Sequence, residues 1–545
     1  MRTCVIILFF LTVNTFSQVW VSKFNGNSIG TNSAYKIETD NSGNIYVCGS
    51  TTRVGTGKDI LVLKYNSSGV LVWSYITNGT SNLNDEARSI CVDNGGNVFV
   101  SGFMNNSASG EDFCVVKLNQ SGGQSWLKTY SSGGNNNDAG TQISIDANNN
   151  VVASGKIISQ NLNLDFFTVK LTQDGNLIWS QSYNGPGNAY DEPFDILVDN
   201  QNNIYLAGLS WGIGTKRDAV VLKYNSAGNL LWQSRYDGES HGYDWATAMC
   251  QSFDGYIFIT GNSWHWNNSY DYLTAKISPN GNLLWAETFD GGALLTDQSN
   301  DVCTDNLGNV YVTGRSWSTG YDITTLKYDG DGKLLWQQNF NGAGNSIDEG
   351  TSIAYRGSGI YVTGFARSSN QNYTEDYCTL QYNSDGDLVR SSLFDGTAHA
   401  DDIASCLLIN QSGKIIISGS TKENGNFYAV TTIMYDIVIG IQQISSEVPE
   451  KFLLGQNYPN PFNPNTKIRF AIPVGTGRDL SVQMKVYDVL GREVAVLVNE
   501  ALKPGYYEVD FNGTNYSSGI YYYTLESDPE TSSGFRETKK MILLK

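Results

Sequence analysis

One spacing dominates the sequence: a glycine that closes a short apolar segment of the type IYVxG returns at intervals of 50 to 55 residues, most often 53. It falls at Gly49, Gly102, Gly155, Gly208, Gly261, Gly314, Gly364 and Gly419. A tryptophan near the end of a GxLxW segment keeps the same interval, at Trp20, Trp73, Trp126, Trp179, Trp232, Trp285 and Trp336. Such an interval indicates a repeat architecture, because each unit buries its apolar faces only against neighbouring units.

Each unit contains four short candidate strands, as residues 87–130 illustrate. ARSICVD and VFVSG flank an NGGN turn, and DFCVVKL and QSWLKTY flank an NQSGG turn. Short alternating segments joined by glycine-containing turns predict antiparallel hairpins. Four antiparallel strands in about 50 residues are typical of one blade of a β-propeller.

The strand count predicts the number of blades and how the ring closes. The first three strands of the unit occur eight times between Ala34 and Met434. The fourth also occurs eight times, but its first copy, residues 19–24, precedes all other strands, and the last unit ends without one. We therefore predict an all-β fold in which residues 18–436 form an eight-bladed β-propeller closed by its N-terminal strand. This closure removes an exposed sheet edge.

The GNxYVxG core of the unit, seen at residues 43–49, resembles the SBBP-type β-propeller repeats of secreted bacterial proteins. The GxLLW segment is similar to the tryptophan-docking strand of quinoprotein propellers. The vicinal cysteines of quinoprotein alcohol dehydrogenases are absent from the sequence, so this second similarity concerns architecture.

The N-terminus predicts export. Arg2 precedes an apolar run from Cys4 to Val13, which is too short to span a bilayer. We predict a signal peptide over residues 1–17, cleaved between Ser17 and Gln18. The alternative is a buried first strand.

The repeat stops after Tyr435, where residues 437–451 predict a linker. Residues 452–545 alternate candidate strands with Pro-Gly and Ser-Gly turns, which predicts a small immunoglobulin-like β-sandwich. The segments NYPNPFNPNTKIRFAIP, VYDVLGREVAVLV and SSGIYYYTL strongly resemble the type A C-terminal sorting domain of the type IX secretion system. That resemblance implies the secretion machinery as a partner and a secreted or outer-surface location; the alternative is an ordinary accessory sandwich. Its motif residues are Asn457, Tyr458, Pro459, Asn460, Pro461, Phe462, Asn463 and Pro464.

Charge and cysteine content exclude some functions. Residues 18–440 carry 41 acidic and 23 basic residues, which argues against nucleic acid and anionic membranes as partners. No segment predicts a membrane span. The seven cysteines after Cys4 lie in candidate strands without a CxxC pair, so we expect small buried apolar residues, neither disulfides nor metal ligands.

Aspartates recur at the start of two strands of each unit. One series precedes the first strand, at Asp85, Asp138, Asp191, Asp244, Asp297, Asp348 and Asp401, and the other the third strand, at Asp59, Asp112, Asp165, Asp218, Asp271, Asp322 and Asp376. We expect these carboxylates to cap backbone N–H groups; a ring of Ca²⁺ sites is the alternative. No metal site or cofactor is otherwise predicted. Five further aspartates that end first strands, such as Asp93, are expected to pair with third-strand lysines, such as Lys117.

One feature breaks the symmetry: the five tryptophans outside the repeat set all lie in units four to six. They share the aspartate-bearing loops with histidines and tyrosines. The candidate ligand-binding residues are Trp211, Trp245, Trp264, Trp266, Trp317, His241, His265, Tyr243 and Tyr270. Indole faces beside carboxylates and amides suit sugar rings. The alternative is that the periodic Trp211, Trp264 and Trp317 fill grooves between blades.

These observations favour a secreted or cell-surface binding and adhesion protein for glycan or protein ligands. The alternatives are a glycan-active hydrolase or lyase on the same scaffold and a purely structural adhesin. With three histidines in the sequence there is no repeated acid–base set, and no catalytic residue is assigned. Two carboxylates, or a histidine and a carboxylate, converging near Trp245 and Trp266 would favour the enzyme.

Overall fold

The computed structural model describes most of the chain and contains, within the described part, only β-strands as regular elements. The described residues are 16–26, 30–134, 136–159, 163–266, 269–292, 295–318, 320–343, 347–357, 359–367, 374–425, 427–436, 441–445, 447–473, 480–502, 504–513, 516–527 and 535–544. Two compact units divide the chain, the first of residues 1–356 and 360–436, the second of residues 357–359 and 437–545. Nearly all of the predicted signal peptide lies outside the described residues, so it stays a prediction.

The first unit begins with β1 (Ser17–Phe24) and continues as sheets that we number one to eight and call repeat sheets. Sheet one contains β2 (Asn32–Thr39), β3 (Ile45–Arg53), β4 (Gly57–Tyr65) and β5 (Leu71–Thr77). Sheet two contains β6 (Glu86–Val92), β7 (Val98–Asn106), β8 (Gly110–Leu118), β9 (Gln124–Tyr130) and β10 (Asn136–Asn137). Sheet three contains β11 (Ala139–Ile145), β12 (Val151–Ile158), β13 (Leu164–Leu171) and β14 (Leu177–Tyr183). Sheet four contains β15 (Asp191–Val198), β16 (Ile204–Trp211), β17 (Arg217–Tyr224) and β18 (Leu230–Tyr236).

The remaining repeat sheets follow the same plan. Sheet five contains β19 (Trp245–Gln251), β20 (Ile257–Trp264), β21 (Tyr270–Ile277) and β22 (Leu283–Phe289). Sheet six contains β23 (Gln298–Thr304), β24 (Val310–Trp317), β25 (Tyr321–Tyr328) and β26 (Leu334–Phe340). Sheet seven contains β27 (Glu349–Arg356), β28 (Gly359–Arg367), β29 (Glu375–Tyr382) and β30 (Leu388–Phe394). Sheet eight contains β31 (Asp402–Ile409), β32 (Lys414–Glu423) and β33 (Phe427–Asp436).

Four strands lie side by side in chain order in seven of these sheets, and β10 adds a short parallel edge to sheet two. In sheet eight the fourth position is taken by β1, which pairs antiparallel with β33 from Ser17 opposite Asp436 to Phe24 opposite Val430. The first strand of sheet one, β2, contacts β31, β32 and β33 of sheet eight. The first and last repeat sheets are therefore neighbours in space.

Each GxLxW tryptophan links its sheet to the following one. Trp73 of sheet one donates Nε1–H to the Gln120 carbonyl oxygen of sheet two at 3.0 Å. Its ring lies on Gly122, where a Cβ would come within 2.7 Å of Trp73 Cδ2 and where φ is +82°. A side chain at this glycine would therefore separate the sheets. The same bond to the next sheet is donated by Trp126, Trp179, Trp232, Trp285 and Trp336, and Trp20 of sheet eight donates to Ser67 of sheet one.

The aspartates that end the first strands have a different role from the one we predicted. An ion pair with the third-strand lysine forms in sheet three, where Lys170 Nζ lies 2.8 Å from Asp146 Oδ2. In sheet two, Asp93 instead accepts backbone N–H bonds from the turn that follows it, and Lys117 donates to the Gln173 carbonyl oxygen of sheet three at 2.9 Å. The general ion-pair prediction is wrong. The role that Asp93 and Asp146 share is capping of the turn that follows, and Asp146 does so while it also pairs with Lys170.

The seven cysteines of the described chain are free thiols on strands, five of them buried. Burial raises the pKa of each of these thiols. This agrees with small apolar core residues.

The second unit is a sandwich of two four-stranded antiparallel sheets around one core. One sheet consists of β34 (Ile441–Ser445), β35 (Leu453–Leu454), β36 (Asn465–Ile472) and β39 (Gly505–Asn512). The other consists of β37 (Leu480–Tyr487), β38 (Glu493–Leu502), β40 (Gly519–Ser527) and β41 (Arg536–Leu543). Strand β34 pairs with β39 although it lies within the predicted linker. The sandwich therefore begins ahead of residue 452.

The predicted sorting segment, residues 457–464, is built into this sandwich by two buried side chains. Phe462 is buried and packs edge-on against Phe511, with ring centroids 5.8 Å apart. Asn457 Nδ2 donates to Thr466 Oγ1 at 3.0 Å and to the Pro459 carbonyl oxygen at 3.1 Å. Tyr458, by contrast, is 81% exposed. Part of the motif therefore maintains the fold and part faces solvent.

Candidate functional site

The candidate residues gather at one end of the repeat sheets, the end where the first and third strands begin, which we call the aspartate end. Trp211, Trp264 and Trp317 end second strands, while Tyr270 and Trp245 begin a third and a first strand. Because consecutive strands are antiparallel, all these positions lie at the same end of their sheets.

The aspartates that precede the first strands are backbone clamps. Asp244 Oδ2 accepts from Gly238 N at 2.9 Å and Oδ1 from Trp264 N at 3.1 Å. The same pair of bonds is made by Asp85, Asp138, Asp191, Asp297, Asp348 and Asp402. In the last unit the clamp is Asp402, and the prediction of Asp401 is wrong by one residue. For this series the capping function expected from the sequence is the one observed. For the third-strand series it is wrong: among the described residues, only side chains donate to Asp59, Asp112, Asp218 and Asp322.

The aspartates that begin the third strands have a feature that the sequence does not reveal: one carboxylate oxygen is buried and accepts no hydrogen bond from the described residues. This holds for Oδ1 of Asp59, Asp112, Asp165, Asp218, Asp271 and Asp322. Burial raises the pKa of the Asp165 carboxyl to about 6, and the nearby charge of Asp191 acts in the same direction. Burial also raises the pKa of the Asp218, Asp271 and Asp322 carboxyls.

Replacing Asp165 with Asn is expected to stabilise the protein at pH 8 and to leave its stability nearly unchanged at pH 4. The folded-state pKa of about 6 exceeds the unfolded value of about 3.9, so the wild type loses stability as pH rises through this window. The upper limit of the gain is about 3 kcal/mol, at about 1.4 kcal/mol per pKa unit. Urea unfolding at both pH values in EDTA measures it.

Asp146→Asn in the same sheet is the matched control with the opposite sign. Burial by itself would raise the pKa of the Asp146 carboxyl, but hydrogen bonds from Lys170 and Asn150 outweigh burial and lower it. This variant should be destabilised at pH 8 and less so near pH 3. A pH-independent Asp165→Asn effect would contradict the assignment.

Five of the candidate aromatic residues form one continuous cluster of edge-to-face contacts. Trp211 contacts Tyr243 at 6.3 Å between ring centroids, and Tyr243 contacts Trp264 at 6.4 Å. Trp264 contacts Tyr270 at 4.7 Å, and Tyr270 contacts Trp245 at 4.9 Å. All five are half-buried, so the cluster, which we call the aromatic shelf, keeps part of each ring accessible to solvent.

Two basic residues complete the shelf, and neither was singled out from the sequence. Lys216 Nζ lies 4.5 Å from the centroid of the Tyr243 ring. The Arg217 guanidinium lies between two tyrosine rings, 4.8 Å from Tyr190 and 5.5 Å from Tyr243. Lys216 and Arg217 directly precede Asp218, where the third strand of sheet four begins. Trp211 ends the second strand, which pairs with this third strand, so the position of the two basic residues could have been inferred from the sequence. A cation over an aromatic face adds attraction and holds the ring in place.

The tryptophans of the shelf also cover loops of their own sheets. A Cβ on Gly187 would approach Trp211 Cδ1 to 2.6 Å, and one on Gly242 would approach Trp264 Cδ1 to 2.5 Å. These indoles therefore serve packing as well as any ligand. Trp317 contacts Tyr321 at 4.9 Å and forms no described ring contact with the shelf. Trp266 is 67% exposed, without a ring contact among the described residues.

The candidate histidines do not form a catalytic arrangement with the shelf. His241 Nδ1 lies 2.6 Å from Asp237 Oδ2, and His241 has a φ of +49°. The same geometry recurs far from the shelf, where His399 lies 2.5 Å from Asp395. In two other loops, two asparagines four residues apart form the equivalent hydrogen bond: Asn78 donates to Asn82, and Asn184 donates to Asn188. The His–Asp contact is thus a recurrent loop closure. His265 is half-buried beside Trp266.

Two protein families match parts of the chain. Residues 456–543 match the family described as secretion system C-terminal sorting domain, and residues 291–322 match the family described as β-propeller repeat. The resemblances to SBBP-type repeats and to the type IX sorting domain are thereby confirmed. The sorting domain indicates a secreted or cell-surface protein and implies an interaction with the type IX secretion machinery. No helix in the described ranges has the length and apolarity required to cross a bilayer.

Similar solved structures include the extracellular domain described as part of a hybrid two-component system from B. thetaiotaomicron, with 10% identity over 93% of this chain and 74% of that one and a TM-score of 0.25. A fungal alcohol oxidase in complex with copper has 9% identity, covers 98% of this chain and 100% of its own, and gives a TM-score of 0.40. An α-L-arabinofuranosidase from Fusarium graminearum has 12% identity, 64% and 91% coverage and a TM-score of 0.33. No curated protein sequence matches the chain. At these identities the structures support no activity for this protein.

Proposed function

We propose that the eight repeat sheets are the blades of one eight-bladed β-propeller that β1 closes. The pairing of β1 with β33 and the bond from Trp20 to Ser67 support this proposal, since the latter is the same bond that joins other neighbouring sheets. The contacts of β2 with sheet eight support it further. An array that closes on itself leaves no open end sheet.

The protein then acts as a secreted or cell-surface binding protein, exported by the type IX machinery, whose aromatic shelf binds a glycan. The observation that carries this proposal is the continuity of the shelf across sheets four and five, with Trp266 exposed beside it. Half-exposed indole and phenol rings offer faces to sugar C–H groups, and nearby amides and carboxylates can bind hydroxyls. A protein ligand would use the same surface.

A glycan-active hydrolase or lyase is the second candidate, and the His241–Asp237 pair beside Trp264 is the observation in its favour. The recurrence of this pair at His399 and Asp395 weakens it, because a loop closure needs no substrate. Incubating each bound glycan with the protein and analysing the products by mass spectrometry separates the two candidates.

The test of glycan binding is an array probed with the full chain and with Trp245→Ala, Trp266→Ala and the double variant. The double variant is expected to bind at least tenfold more weakly, which corresponds to about 1.4 kcal/mol. Phe253→Ala is the matched control, because Phe253 is a fully exposed aromatic residue in the β19–β20 turn, at the opposite end of the same sheet. Unchanged affinity of the double variant for every retained glycan would refute the proposal.

A further inference from the structure

Three aspartates meet where sheets five and six adjoin at the aspartate end. Asp271 begins the third strand of sheet five, Asp290 follows its fourth strand, and Asp297 is the clamp before sheet six. One carboxylate oxygen from each lies within 4.8 Å of the other two. Asp271 and Asp297 are 3% and 1% exposed, whereas Asp290 is exposed. Three negative charges at this separation repel one another strongly unless something neutralises them.

The hydrogen bonds of the three carboxylates leave one buried oxygen without a donor. Asp297 accepts from Gly291 N and Trp317 N, each at 2.8 Å. Asp290 accepts from Gly292 N at 2.8 Å. Asp271 Oδ1 is buried and accepts no hydrogen bond from the described residues. Asp218 also has a buried Oδ1 without a donor, but its Oδ2 accepts from Arg235. Neither oxygen of Asp271 accepts a hydrogen bond from the described residues, and this is the deficit that a bound cation would satisfy.

At the preceding junction, between sheets four and five, the equivalent third-strand aspartate is neutralised by an arginine. There the equivalent aspartate, Asp218, lies 3.0 Å from the guanidinium of Arg235, which extends from the fourth strand. In sheet four, Arg235 lies opposite Val220. The corresponding pair in sheet five is Leu273 and Thr288, so Thr288 occupies the position of Arg235. Sheet five therefore has the carboxylates without the arginine.

The junction between sheets seven and eight has a similar group, Asp376, Asp395 and Asp402. Here His399 bonds to Asp395 and supplies a side-chain cation when protonated. Asp271, Asp290 and Asp297 form no ion pair among the described residues. His265 is close enough to act on the charge of Asp271 but is not within ion-pair distance.

We propose that Asp271, Asp290 and Asp297 bind one Ca²⁺ ion, which takes the place that the Arg235 guanidinium occupies one junction earlier. Carboxylates are hard oxygen ligands of the kind that Ca²⁺ prefers. The three carboxylate oxygens lie within 4.8 Å of one another, which is close enough for one ion to contact all three. Ca²⁺ accepts irregular oxygen geometries, whereas Mg²⁺ demands a near-ideal octahedron, so carboxylates from three separate chain segments favour Ca²⁺.

The ion would join sheets five and six directly, because Asp271 and Asp290 belong to one sheet and Asp297 leads into the other. Through Asp297 it would also hold the backbone of Trp317. Its effect is structural and independent of whether the aromatic shelf binds a glycan.

The experiment is calorimetric titration of the full chain, stripped with EDTA, with CaCl₂ and with MgCl₂. We expect saturable Ca²⁺ binding, weaker Mg²⁺ binding, and a Tm that rises by about 3–5 °C at 100 times the Kd. Asp290→Asn removes an exposed ligand, and Thr288→Arg introduces the guanidinium of the preceding junction. Both should bind one Ca²⁺ fewer than the wild type.

The Tm of Thr288→Arg measured in EDTA distinguishes loss of the Ca²⁺ site from misfolding. Thr288→Arg should have a Tm at or above that of the wild type in EDTA, because its own cation neutralises the carboxylates. Asp237→Asn, at the junction that Arg235 occupies, is the matched control and should keep the full Ca²⁺ stoichiometry. The proposal would be overturned by the absence of saturable binding below about 10 mM CaCl₂, which is about tenfold above the Kd of the weakest extracellular sites. The same stoichiometry in wild type, Asp290→Asn and Thr288→Arg would also overturn it.

Discussion

Removal of residues 437–545 is expected to leave the protein in the periplasm instead of on the cell surface or in the medium. The deletion starts at residue 437 because β34 belongs to the sandwich although it lies in the predicted linker. A cut at residue 452 would leave β34 without β39, its partner strand, and so confound loss of sorting with an exposed edge strand. Fractionation of the producing bacterium, with immunodetection of the first unit, measures the result.

Point variants distinguish the sorting signal from the fold that carries it. Phe462→Ala should also block export, because truncating a buried aromatic residue costs about 3–5 kcal/mol in a sandwich of this size. Tyr522→Ala, on the exposed side of β40, should be exported normally. Tyr458 is 81% exposed, so Tyr458→Ala keeps the core and tests recognition alone. Normal secretion of the truncated chain would show that residues 437–545 do not direct export.

The second large effect concerns β1. Deleting residues 18–24 should destabilise the first unit and promote aggregation, because it uncovers the edge of β33 and removes the Trp20 bond to sheet one. Loss of the strand also breaks the ion pair between Lys23 and Glu423. We expect a lower Tm, and light scattering that rises with concentration.

Trp20→Ala and Trp232→Ala test closure of the ring with matched substitutions. Both indoles are half-buried and make the same bond to the next sheet, at 3.2 Å and 3.0 Å. If the array of sheets is closed, each substitution should lower the free energy of unfolding by about 2–4 kcal/mol. This is the lower end of the range for large-to-small substitutions, because neither indole is fully buried. Urea unfolding measures both. A Trp20→Ala effect near zero beside a large Trp232→Ala effect would indicate an open array.

Local signals explain which structural features could be predicted. The tryptophan series predicts its own interface because a side chain that docks on every neighbouring unit must recur at the repeat interval, as Trp73 and Gly122 do. The clamp aspartates could be predicted for the same reason. The last one was misplaced because Asp401 and Asp402 are adjacent, and only the bonds from Gly396 and Lys422 distinguish them.

Which side chains bond to one another could not be predicted, either between sheets or within a loop. We predicted a pair between Asp93 and Lys117, yet Lys117 donates to the Gln173 carbonyl oxygen of the next sheet. His241 was predicted as a ligand-binding residue, but its contact with Asp237 matches the Asn78–Asn82 bond of another loop. The two pairs lie at equivalent positions of the repeat, and only the structure shows that the side chains of each pair bond to each other.

By itself, the sequence determined the repeat, the four strands of each unit, the sorting domain and the concentration of tryptophans in units four to six. These depend on residue spacing, turn residues and local alternation, all of which are properties of the linear chain. Only the tertiary structure decided which aromatic rings touch. It also showed that Asp218 pairs with Arg235, whereas Asp271 forms no ion pair within the described part of the chain. The physical reason is that burial and charge neutralisation depend on side chains from different strands and sheets, whose separation in space no sequence interval specifies.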